Sequence, residues 1–210
     1  MATVDLSKKY SSFIAPKNQI LLNQENLQQK YGLTATILTV ELTQSSTSKF
    51  SFTIDDTQAQ WVNTPIFEPN KPIQIHLGYG NTLEVVLSGE VTTIKTVFSS
   101  SSASKIEIFG ESKLLESNVS QTVFGLEYGK TLLDFTATLT AGNLCCVATS
   151  VGLPDIKPGV ILALTGLSGK FNMNYLVEKV VHRWDGVYGY RTSFEAKALT
   201  RTVKIFRPNI

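Results

Sequence analysis

The sequence predicts a mostly β protein, built as two small antiparallel β-barrels in tandem with little helix. Three observations predict it. Hydrophobic residues make up 42% of the chain and charged residues 17%, with abundant Ser and Thr and recurring β-branched runs, a profile that suits strands better than helices. Apolar and polar residues alternate in several runs, as in Phe50, Phe52 and Ile54 against Ser51 and Thr53, so that one strand face meets a core and the other meets water. The connections are short and bear Gly, Pro and Asn, and no strong helical period interrupts either half, which argues against a βαβ order. At 210 residues the chain can hold one large domain or two small ones, each able to bury a core.

Taken in order, the opening through about Lys30 mixes polar residues with short apolar pieces around Pro16 and reads as an extended arm or irregular lead-in. Leu33 to Leu42 is a β-branched strand, Gln44 to Ser48 a polar turn, and Lys49 to Ile54 the alternating strand already named. Asp55 to Gln60 reads as a turn or one short helix, after which Trp61, Ile66 and Phe67 close an end of the core, punctuated by Pro65, Pro69 and Pro72. Two strands follow, Ile73 to Tyr79 and Leu83 to Val97, around a Gly80-Asn81 turn that tolerates positive φ, with Gly89 marking a bulge or bend. Ser99 to Ser104 is a hairpin tip and Lys105 to Phe109 the returning strand.

From Lys113 to Ala141 the pattern weakens, and Thr131 to Leu139 fits a short helix or a strand equally. Strands resume over Leu144 to Ser150, Val160 to Thr165, Asn174 to Trp184 and Tyr190 to Leu199, with Thr202 to Phe206 as a further candidate. The expected organisation is an N-terminal arm and first barrel over residues 1–115, a junction over 116–143 and a second barrel over 144–210.

Chemistry-bearing motifs are sparse, and no catalytic, cofactor-binding or metal-binding residues are assigned. His76 and His182 lie in different predicted strands and outside any nucleophile or metal motif, so both read as strand histidines. Cys145 and Cys146 are neighbours, a pairing that strains a disulfide, and two thiols without nearby His or acids fall short of a zinc set. Asp55-Asp56 reads as turn chemistry and not as the acid pair of a glycosidase. Gly166 to Lys170 lacks the spacing of a phosphate loop and precedes a strand. Trp184 and Tyr188 to Tyr190 could form a stacking platform, but at strand ends such residues more often plug a barrel mouth or a subunit contact. A net charge of +2 with scattered Lys and Arg advertises neither a specific nucleic-acid surface nor an anionic membrane patch. No run reaches the roughly 20 apolar residues of a spanning helix, and the start has no signal layout. A soluble product without stable membrane insertion, partnered by protein, is expected.

Two segments resemble the phage late control protein D family, which includes the central baseplate hub proteins and the N-terminal part of the VgrG spike proteins. In the first, Phe67-Glu68-Pro69 leads to Pro72-Ile73-Gln74-Ile75, Leu77-Gly78-Tyr79 and Leu87-Ser88-Gly89-Glu90-Val91. In the second, Gly152 to Gly159 (GLPDIKPG) leads to Gly166, Tyr175-Leu176-Val177, Val181-His182-Arg183 and Gly189-Tyr190-Arg191-Thr192-Ser193-Phe194. The two regions, roughly 61–115 and 150–200, cover over half of the chain. Larger hubs carry an α/β region between the barrels, for which the gap from Lys113 to Ala141 is too short.

The resemblance implies barrels of the tail-tube type in a structural, non-enzymatic baseplate hub without a cofactor. Each chain would supply two barrels, so that a homo-trimer forms a pseudo-hexameric ring. That ring would join the central spike protein to the tail-tube protein and contact other baseplate proteins, within a phage virion or injection-particle baseplate assembled in the bacterial cytoplasm. The strand regions Leu83 to Val97 and Asn174 to Trp184 are the candidates for lining or forming it. A hexameric tail-tube or tube-initiation protein is the alternative within the same class. A carbohydrate-binding or wall-hydrolysing β-protein, motivated by Trp61, Trp184 and the aromatics near Tyr190, is the alternative outside it.

Overall fold

A computed structural model describes residues 3–10, 13–44, 46–101, 103–112, 122–140 and 143–199. The candidate strand at Thr202 to Phe206 and most of the Lys113 to Ala141 gap before Thr122 lie outside the described residues. Strands β1 (Thr3–Val4), β2 (Pro16–Leu22), β3 (Glu25–Asn26), β4 (Ile37–Thr43), β5 (Ser48–Asp55), β6 (Pro72–Tyr79), β7 (Thr82–Val97) and β8 (Lys105–Ser112) make up the first part of the chain. Strands β9 (Val123–Glu127), β10 (Leu132–Thr140), β11 (Asn143–Val151), β12 (Ile161–Thr165), β13 (Asn174–Asp185) and β14 (Gly189–Ala198) make up the second. All belong to one 14-stranded sheet. Among the described residues, two short helices, α1 (Leu6–Lys9) and α2 (Leu27–Tyr31), interrupt them, apart from single turns. The mostly β fold expected from composition is therefore the fold found.

The opening thirty or so residues depart from the expected irregular arm. Pro16–Leu22 runs antiparallel to β6, with Ile20 against Ile75 and Leu22 against Ile73, all four buried. Pro16 sits at the first strand position, where a missing N–H breaks no ladder bond further in. Asn26 then caps α2, its side chain accepting from the backbone N–H groups of Gln28 and Gln29, and Gly32 ends it in the left-handed conformation at φ 69°. The segment left open between helix and strand, Thr131 to Leu139, is strand β10.

Core residues come from both parts of the chain and form one continuous cluster. Alternation produces it: β5 buries Phe50, Phe52 and Ile54, and β13 buries Tyr175, Val177, Val180 and His182. Phe67 is buried at the end of the core, with Trp61 and Ile66 partly buried beside it. The tip of the β6–β7 hairpin turns at Gly80, φ 54°. Gly89 marks a close approach: a Cβ there would lie 2.3 Å from the Glu111 carbonyl oxygen of β8. The register of β7 shifts on both sides of it, between Ile75 and His76 of the partner strand and between Val91 and Thr93.

Candidate functional site

The strand pattern occurs twice. In the first part the pairing order is β4-β5-β8-β7-β6, and in the second it is β10-β11-β14-β13-β12, every neighbour antiparallel. The rungs correspond residue by residue. Leu38, Phe52, Ile108 and Ile94 stand side by side across β4, β5, β8 and β7. Phe135, Ala148, Phe194 and Val180 do the same across β10, β11, β14 and β13. Both long strands carry a register shift at the matching place, between Val91 and Thr93 in β7 and between Val177 and Lys179 in β13.

The approach to each long hairpin also repeats. Asn70 (φ 66°) donates its N–H to the Val91 carbonyl, and Gly159 (φ 88°) donates to that of Val177. The N–H groups of Val91 and Val177 return bonds to Lys71 and Val160. Pro69 and Pro158, each within one of the two segments that carry the resemblance, therefore precede equivalent left-handed residues.

A strand joint unites the two patterns. Beyond its shift, β13 pairs antiparallel with β4: Lys179 with Thr43, Val180 with Leu42, His182 with Val40, Trp184 with Leu38 and Asp185 with Ile37. This makes one eight-stranded antiparallel run, β10-β11-β14-β13-β4-β5-β8-β7. Its inner face packs the core. The other face carries hydroxyls and charges of both signs, among them Thr39, Ser51, Thr138 and Ser193, with Lys179 paired to Glu41 at 2.8 Å across the joint.

Polar anchoring surrounds this joint. His182, fully buried, holds its Nε2 3.1 Å from the Ile156 carbonyl oxygen, which can only accept, so Nε2 carries the proton. Nδ1 then accepts from the Tyr190 hydroxyl at 3.0 Å and lies 3.1 Å from Thr192 Oγ1, which itself accepts from the Leu153 N–H. Burial pushes the imidazole pKa down from 6.5 to about 3, with the nearby Lys157 charge acting in the same direction. Lys157 in turn donates to the Val85 carbonyl of β7 at 2.9 Å. Asp155 accepts from Lys9 at 2.7 Å and from the Tyr10 hydroxyl, and Lys9 also reaches Glu84 of β7. The rings of Tyr10, Phe13, Tyr79 and Tyr190 touch in series, from the N-terminal segment through β6 to β14. The two strand patterns are thus held in one fixed relation by packing, charge and hydrogen bonds together.

The other chemistry-bearing residues are scattered. His76 lies on β6 and partial burial lowers its pKa. Cys145 is exposed and Cys146 buried, adjacent on β11 and both free; burial pushes the Cys146 thiol up to about 12. Asp56 caps the turn that follows it, accepting from the N–H groups of Gln60, Trp61 and Val62 at 3.0, 3.1 and 3.2 Å. The Gly166 to Lys170 segment is a turn whose Leu167 N–H bonds Asn172. Of the aromatic group, Tyr190 is a core residue, Trp184 partly so, and only Tyr188 is exposed. A groove of about 730 Å³ runs between the N-terminal segment and β9 and β12. Both its acids are engaged, Asp5 by the Ser7 N–H and hydroxyl and Glu127 by Lys130.

No family model and no curated protein matches the sequence. Solved structures do. A tail protein from Neisseria meningitidis MC58 superimposes with TM-score 0.61 at 6% identity, over 88% of this chain and 96% of that one. The 43 kDa tail protein of prophage MuSo2 from Shewanella oneidensis gives TM-score 0.62 at 8% identity, over 87% and 96%. An E. coli component of the type VI secretion system, described as structurally similar to the T4 bacteriophage tail proteins gp27 and gp5, gives 0.57 at 8% identity, over 80% and 74%. The chain therefore shares, over most of its length, the fold of phage tail proteins and of a type VI secretion component.

Proposed function

We propose that the protein is a structural hub component of a phage tail or contractile injection machine, in which three chains close into a ring of six equivalent strand units. The observation that carries this reading is the duplicated pattern joined inside the chain through β4 and β13. A joint that already places one unit beside its duplicate supplies the step of a ring, and three such steps give pseudo-sixfold symmetry from threefold assembly. The units proposed are the first barrel within residues 1–115 and the second within 144–210, with β9 and β10 of the intervening stretch contributing to the second. Three eight-stranded runs would close into 24 strands, about 45–50 Å across at a spacing of about 4.8 Å and a tilt of about 40°. The mixed hydroxyl and charged face would line the channel, and the opposite ends of the ring would meet the central spike and the tail tube, beside other baseplate proteins.

The role is mechanical and needs no catalyst. The fold shared with tail and secretion proteins supports placing it in such a particle. Native mass measurement tests the reading: three times the 23.1 kDa chain mass is expected. Six copies would favour a tube-type ring instead, and release of peptidoglycan fragments by the pure protein would favour a hydrolase.

A further inference from the structure

We infer that the seam between neighbouring chains is an antiparallel pairing of β7 from one copy with β10 from the next, in the register Thr93–Thr140, Ile94–Leu139, Lys95–Thr138, Thr96–Ala137 and Val97–Thr136. This rests on the ring reading above and names its contact. By the rung equivalence, β7 is the counterpart of β13 and β10 the counterpart of β4. Carrying the in-chain pairing Val180–Leu42 across that equivalence gives Ile94–Leu139 and the rest of the register.

Four features agree with it. Among the described residues β10 pairs in a ladder only with β11, and the stretch of β7 beyond Val91 pairs only with β8, so each offers a free edge. The two edges lie at opposite ends of the eight-stranded run, so one chain's β7 reaches β10 of another copy and not its own. At the in-chain joint the core-side residues are sealed, with Val180 and Val40 at 0% exposure and Leu42 at 1%, whereas Leu139 is 71% exposed and Phe98, one residue past β7, is 66% exposed. Extending the register by one pair sets Phe98 against Phe135, an aromatic already packed on Phe171 and Tyr175. Finally, the stretch of β10 placed in the seam, from Phe135 to Thr140 (FTATLT), carries neither proline nor a charged side chain; Asp134 and the register shift beside it precede that stretch.

The test is disulfide trapping in the full chain on a Cys145→Ser, Cys146→Ala background. Lys95→Cys with Thr138→Cys places thiols on directly opposed residues of the hydroxyl and charged face, within the about 4.4–6.8 Å Cα separation that a disulfide spans. Lys95→Cys with Thr136→Cys is the register control, about 7–8 Å apart on the diagonal. Mild oxidation is expected to convert the first variant into covalent rings of three, with at least tenfold less product from the second. Stronger trapping by the control would overturn the register. A particle of three copies that neither variant traps would overturn the seam and leave the ring standing. Trapping by the first variant in a particle of any other copy number would keep the seam and remove the ring, and a chain that stays single and uncrosslinked would remove both.

Discussion

Replacing His182 with leucine should destabilise the protein strongly at neutral pH and much less in acid. The side chain is sealed inside the strand that makes the joint and bonds the Ile156 carbonyl and the Tyr190 hydroxyl at 3.1 and 3.0 Å. Leucine has similar bulk but leaves both groups buried without their partner, at about 1–3 kcal/mol each. A loss of about 2–6 kcal/mol follows, which lowers Tm by about 4–24 °C for a chain of this size.

The pH dependence has a definite sign. Because burial holds the folded imidazole near 3 and the ordinary value is 6.5, the unfolded chain takes up a proton that the folded chain refuses in between. Stability from this group is complete above 6.5 and falls as pH drops toward 3, by about 1.4 kcal/mol per unit. The leucine variant takes up no such proton, so the gap between wild type and His182→Leu should narrow by about 2–3 kcal/mol between pH 7.5 and 4.5. Urea unfolding followed by tryptophan fluorescence at both pH values measures it. A gap that stays constant would refute the assignment of His182 as a neutral, buried acceptor.

Three further outcomes follow from the structure. Leu139→Lys alters a side chain that is 71% exposed in the single chain, so thermal unfolding of the monomer should move by no more than about 0.5 kcal/mol while native mass spectra lose the assembled ring. Gly152→Ala would put a Cβ 2.1 Å from the ring of Tyr190, which is pinned by His182, and denaturant midpoints should report a loss of about 3 kcal/mol. Asp56→Ala removes one carboxylate serving three N–H groups, and calorimetry should show a fall of about 1–2 kcal/mol without change in assembly.

Strands with two distinct faces were legible in the sequence. The hydroxyls and aromatics of β5 alternate strictly, and the apolar and β-branched runs of β7, β13 and β14 are long enough, to place each within a residue or two. β2 was not legible, because its first residues, PKNQ, are polar on both faces and the buried Ile20 and Leu22 come only at its end. β10 was ambiguous because Leu132, Leu133, Phe135 and Leu139 satisfy a helical stripe as well as a period of two. The resemblance in residues 61–115 and 150–200 pointed to the long strands β7 and β13, and β13 does carry the joint. Its partner β4 could not be read, since pairing between Val180 and Leu42 leaves no local trace in either segment. Two blocks of strands were expected, but their rung-by-rung equivalence leaves no side-chain trace: the matching rungs set Phe52 against Ala148 and Ile108 against Phe194, so backbone pairing is repeated where side chains are not.

The most direct test is the copy number and symmetry of the purified particle by electron cryomicroscopy. The account predicts three chains around a threefold axis, with six similar strand units alternating between in-chain and between-chain joints. Six chains with true sixfold symmetry, or a chain that remains single at every concentration, would contradict it.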